Sequence, residues 1–139
     1  MPNALRAIPV SLFPAILYAL IAVPIGHDSM ATGLTAPLFS MVLPSGANWV
    51  VARGDALLMF AALCLFIEIV KATSTRGAAI VGNSLAVIAF TLCLVAFLLI
   101  PAFGTNIFFL ISGMILVDFI AGFIVMIVSS RRDVSFGAG

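Results

Sequence analysis

The chain has 139 residues, of which 64% are hydrophobic and only 8% charged, against about 25% charged residues in an ordinary soluble domain. A body this small cannot hide so much apolar surface inside itself, so the composition excludes an ordinary soluble fold and points to lipid as the surrounding medium. The net charge of +1 argues against nucleic-acid binding and leaves the few basic residues as markers of topology.

A membrane-crossing helix needs about 20 mostly apolar residues. The first such run covers 8–25 and carries Pro9, Pro14 and Pro24. Pro9 fits an opening turn, whereas Pro14 is expected to remove an internal hydrogen bond and bend the helix. Arg6 before this run and Ser29-Met30-Ala31 after it loosely imitate a secretory signal and its cleavage site, but a long apolar run interrupted by proline favours a retained span. Ala15, Ala19, Ala22 and Gly26 give it a short seam of small residues.

Residues 26–54 form the one long connection. They contain the breakers Pro37, Pro44 and Gly46, an apolar patch at 38–43, and Trp49. Tryptophan favours the headgroup level, so this outer loop is expected to lie against the membrane surface with room for one short interfacial helix. His27 beside Asp28 reads as an ordinary loop pair. A single histidine builds neither a bis-histidine haem site nor a zinc set, and no metal site is indicated.

The second run covers 56–72, with Asp55 placed to cap its N-terminus and Arg53 as an interfacial anchor. The third covers 78–100 and the fourth 107–128. Their length, without alternation of period two, selects helix over barrel strand. Connections at 73–77 and 101–106 are short, which predicts that spans two and three, and three and four, are antiparallel neighbours. The tail 134–139 reads as unstructured. With the N-terminus inside, Arg6, Lys71, Arg76, Arg131 and Arg132 are cytoplasmic and only Arg53 is outside, the bias that orients membrane proteins. The sequence thus predicts an all-α membrane protein, a single four-span domain over 1–139 in the cell inner (plasma) membrane. Its four transmembrane helices form an up-down antiparallel bundle with both termini cytoplasmic.

On the third span Ala79, Gly82, Ala86, Ala89, Cys93 and Ala96 recur at spacings of three and four. That is one helix face lined by small side chains, the means by which helices approach closely in lipid. Cys64 and Cys93 lie in apolar runs and read as buried small hydrophobes.

The intramembrane polar candidates are Asp118, Glu68, Lys71, Asn83 and Thr91. Asp118 lies roughly 16 Å from either end of the fourth span at 1.5 Å per residue. A charge there costs about 2.5–3.5 kcal/mol, so it needs a partner or a proton, and Thr91 at similar depth is the expected partner. Glu68 can pair with Lys71 three residues on, and Asn83 enters the third span at comparable depth. The leading expectation is structural glue; a proton path through Asp118 and Glu68 would need Tyr18 and Thr91 to continue it outward.

No catalytic constellation, phosphate loop or cofactor motif is present. The expected function is that of a small non-enzymatic accessory, assembly or scaffold subunit acting through helix packing. The competing expectation is a homo-oligomeric channel or proton-coupled transporter using Asp118 and Glu68, and a weaker third is a lipid- or quinone-binding protein using the outer loop and Trp49. The partners implied are the lipid bilayer and either a larger membrane complex or further copies of the chain, with no nucleic acid.

Overall fold

The computed structural model describes residues 8–74 and 76–136. It is 80% helical, with five helices. Pro9, in extended conformation (φ −65°, ψ 126°), leads into a 3-10 turn at Val10–Leu12 and then α1, Phe13–Ile25. Pro14 therefore falls in the first turn of α1, where the N–H it lacks has no intrahelical acceptor. The mid-helix bend expected at Pro14 does not arise, because the helix begins later than its apolar run. Gly26 closes α1 at φ 80° while its N–H still reaches the carbonyl of Ala22 at 3.0 Å. That positive φ favours glycine, and α2, His27–Thr35, follows at once.

The outer segment has more regular structure than the loop with one short helix that the sequence suggests. Its helix is α2, and the apolar patch is a strand. β1, Pro37–Val42, pairs antiparallel with β2, Asn48–Ala52. Pro37 and Pro44 bracket a run too short for a stable helix, and Phe39, Val42, Trp49, Val50 and Val51 are good strand formers. The connection is closed by Gly46 N–H to the Leu43 carbonyl (2.8 Å) and Leu43 N–H to the Ala47 carbonyl (2.9 Å), with Gly46 at φ 84°.

The hairpin is rooted directly on the next helix, α3, Arg53–Ser74. Arg53 N–H bonds the Ala36 carbonyl at 3.0 Å. Asp55 reaches back to accept from Ala52 N–H at 2.9 Å, the third-position half of a capping box. α4 is Arg76–Leu99; a 3-10 turn at Pro101–Phe103 leads to α5, Asn106–Phe136. α5 runs through 134–136, where no regular structure was expected; neither proline nor glycine interrupts it between 129 and 136. Residues 137–139 of the expected tail lie outside the described residues, as does Thr75 in the expected 73–77 connection.

α5 is the central helix. α4 packs along one flank and α3 along another, while α3 and α4 meet only slightly. This corrects the expectation that the second and third spans are close neighbours. α4 turns its small-residue face toward α5 instead, and a shared partner separates the two. α3 runs parallel to α5, bringing Gly54 against Ile107. α1 and α4 run the other way: Tyr18 meets Phe108 and Ser11 meets Asp118, while Phe97 meets Phe109 and Asn83 meets Gly122. The core centres on Tyr18, Phe103 and Phe108, whose rings are 4.8–5.7 Å apart, with Ala22, Ala61, Ile111 and Ile115 around them.

Among the described residues, two helices are long and apolar enough to cross a membrane, through Val81–Leu99 and Asn106–Val128, and Val10–Ile25 is a shorter apolar stretch. Only 6% and 22% of the two longer stretches are buried inside the protein. The core helix of a water-soluble body would be mostly buried.

A Cβ on Gly54 would lie 2.8 Å from Ile107 Cδ1 and 3.2 Å from the Leu34 carbonyl oxygen, whereas one on Gly113 meets nothing within 4 Å. Gly54→Ala is therefore expected to destabilise by about 1–3 kcal/mol through overpacking. Gly113→Ala should be neutral or stabilising. Thermal unfolding of both variants in one detergent checks the contrast, and equal melting temperatures would contradict it.

Candidate functional site

The polar groups gather where the N-terminal turn meets α3 and α5. Val10 N–H donates to Glu68 Oε2 at 2.7 Å, and the Ser11 hydroxyl donates to Asp118 Oδ2 at 2.5 Å. Lys71 Nζ lies 3.3 Å from both Glu68 oxygens and donates to the Ile8 carbonyl at 3.1 Å. Both acids are buried, Glu68 at 8% and Asp118 at 6% exposure, as are Pro9, Pro14 and Ser11.

The cause lies in the backbone. The opening N–H groups of a helical segment have no intrahelical acceptor, and a carboxylate suits that electropositive end. Glu68 takes the Val10 N–H, Asp118 takes the neighbouring hydroxyl, and Lys71 takes the carbonyl just upstream. Measured along the helices from the Gly54–Ile107 contact, the two acids lie roughly 16–21 Å down at 1.5 Å per residue. α5 continues well past them, so the turn that leads into α1 is recessed among the helices.

A second polar chain closes the opposite end. Phe108 N–H donates to Thr105 Oγ1 (3.2 Å), Thr105 and Tyr18 share a bond of 2.6 Å, and Tyr18 donates to the Ala102 carbonyl (3.1 Å). Thr105 is thereby the N-cap of α5, and the fully buried Tyr18 hydroxyl is satisfied. His27 Nδ1–H donates to the Pro101 carbonyl at 2.6 Å, tying α2 to the same turn.

The structure brings Glu68, Lys71 and Asp118 together but not Thr91. Thr91 is exposed and bonds its own helix at the Val87 carbonyl, 2.9 Å away, so the expected Thr91–Asp118 bond is replaced by Ser11–Asp118. α4 presents Thr91 on its outward side, while α1 brings Ser11 directly to α5. Asn83 meets Gly122 rather than Glu68: its Oδ1 lies 2.8 Å from where a Gly122 Cβ would stand and is buried without a hydrogen-bond partner among the described residues. Of the small-residue seam, Ala86 is buried and Gly82, Ala89, Cys93 and Ala96 are half-buried, with the last three against the core. The side chain of Ala79 lies outside the described residues, as do those of Arg6, Arg76, Arg131 and Arg132. Cys64 is buried and, like Cys93, a free thiol.

Reading the sequence alone misses Ser11 and Thr105. Ser11 does leave a trace, as the one polar side chain in 8–17 and flanked by prolines. Thr105 is a threonine just before an apolar run, a helix-start signal. Among the described residues no group of three His, Cys, Asp or Glu side chains could hold a metal ion. Comparison of the chain with protein-family models, with curated proteins and with solved structures returns no match in any of the three.

Ser11→Ala should cost about 1–3 kcal/mol by leaving the buried Asp118 carboxylate without its donor. Removing both partners, in Ser11→Ala with Asp118→Leu, should restore most of that loss. A double-mutant cycle on unfolding in detergent measures the coupling, and additive losses would show that the two groups act independently.

Proposed function

We propose that this chain is a four-span integral membrane protein with both termini cytoplasmic, serving as a non-enzymatic accessory, assembly or scaffold subunit. The observation that carries this reading is the engagement of the buried acids. Glu68 accepts from Val10 N–H and Lys71, and Asp118 accepts from the Ser11 hydroxyl. Both carboxylates secure the entry of the first span, where the bilayer offers no water to do so.

The spanning assignment draws on the outward apolar faces. Leu92, Leu98 and Leu99 on α4 and Phe109, Ile120 and Ile124 on α5 are exposed, and a soluble monomer rarely shows so much contiguous apolar surface. The alternation of helix direction fits up-down topology, and the basic residues fit cytoplasmic termini. Against a proton path, Tyr18 is engaged with Thr105 and Ala102 and Thr91 faces away from Asp118. Neither extends the acids outward.

The test is extraction from native membranes in mild detergent after photo-crosslinking from the outward face of α4, followed by mass measurement. The expected result is a discrete complex with a second protein in fixed ratio, well above the 14.5 kDa of one chain. A solitary monomer overturns the subunit reading. Proton flux into liposomes from the purified chain, lost in Asp118→Asn, would overturn it in favour of transport.

A further inference from the structure

The hairpin β1–β2 is the largest feature of the fold not explained by packing. Cross-strand partners share a face. The register Phe39↔Val51 and Met41↔Trp49 therefore puts four apolar side chains on one side, while Ser40, Val42, Asn48 and Val50 stand on the other. The Phe39 and Trp49 rings meet edge to face at 5.6 Å, and Phe39, Met41 and Trp49 are each nearly half exposed. Residues 29–52 contain no Asp, Glu, Lys or Arg. An uncharged, apolar two-stranded sheet with two open edges lacks the charges with which proteins protect such edges in water.

We infer that the Phe39–Met41–Trp49–Val51 face of the hairpin lies in the headgroup layer of the outer leaflet and holds the outer end of the protein at a fixed depth. This rests on the four-span reading. In that reading the hairpin emerges at the membrane boundary, since α3 begins at Arg53 without a linker and Gly54 abuts Ile107 at the start of α5. Of the charged residues that flank the segment, Arg53 and Asp55 stand at its root, bonded to Ala36 and Ala52. The open edges keep the sheet out of the hydrocarbon, where unpaired N–H and C=O groups find no partners, so the depth is shallow. Trp49 suits that layer. A second copy is a poorer occupant: the half-exposed rings and Met41 offer roughly 300 Å², against about 800 Å² per partner in a stable dimer. Because the segment is uncharged, the contact needs no anionic lipid and does not respond to salt.

Trp49 is the only tryptophan in the chain, so its emission reports this face directly. The full chain is reconstituted in phosphatidylcholine liposomes. Emission should be blue-shifted, quenched more by bromine placed near the headgroups than by bromine deep in the acyl chains, barely quenched by aqueous iodide, and unchanged by added salt. Met41→Glu should raise the iodide quenching. Iodide quenching without bromine quenching in the wild type puts the hairpin in water and overturns the inference. Shielding from both quenchers means that protein covers the face, and overturns it equally. An alkaline wash separates the two readings: release of the chain from the liposomes defeats the four-span reading, whereas a retained chain with an iodide-quenched Trp49 defeats only the headgroup contact.

Discussion

The structure depends on how the turn that leads into α1 is held. Val10–Leu12 is a turn of 3-10 helix feeding α1, and a helix start presents N–H groups that its own backbone cannot satisfy. In water solvent would take them. Here Glu68, from α3, accepts the Val10 N–H and Asp118, from α5, accepts the neighbouring Ser11 hydroxyl, while Lys71 both balances Glu68 and takes the Ile8 carbonyl. The same contacts fix α1 across α3 and α5, so the position of one turn sets the relation of three helices. Pro9 and Pro14, both buried, favour this arrangement. Neither proline has an N–H to satisfy, and the fixed φ of each suits the start of a helix.

From that fixed end the other contacts follow in order along α1. Ala15, Ala19 and Ala22 allow close approach, Tyr18 reaches the Thr105 cap of α5, and Gly26 ends the helix where α2 must turn. The two polar networks bracket the apolar core, one at each end. Between them the helices meet through small residues and aromatic rings, and outward they carry Leu, Ile, Val and Phe. Buried polar groups with complete partners specify one arrangement more strongly than apolar contacts alone. Asn83 Oδ1, packed against Gly122, is the exception among the described residues.

The helices were legible in the sequence because an apolar run is long and local. The small face of α4, the Glu68–Lys71 spacing and the Asp55 cap were legible because all three are short-range patterns. What escaped depends on contacts distant in the chain. Ser11 and Asp118 are 107 residues apart, and no periodicity links them. Nor could spacing reveal that α5 stands between α3 and α4, since short connections suggest sequential neighbours. The hairpin was obscured for a different reason: a charge-free stretch with aromatic residues reads equally as interfacial loop, short helix or strand. The paired strand formers around Pro44-Ser45-Gly46 were the signal to weigh.

A chain whose buried acids are occupied in holding the turn before its first long helix has the character of a structural part, and the account stands or falls with that clamp. Amide hydrogen exchange at Val10 in the bilayer-reconstituted protein tests it most directly. The account predicts strong protection at Val10, lost in Glu68→Ala while amides in the middle of α5 stay protected. A Val10 amide that exchanges freely in the wild type would contradict it.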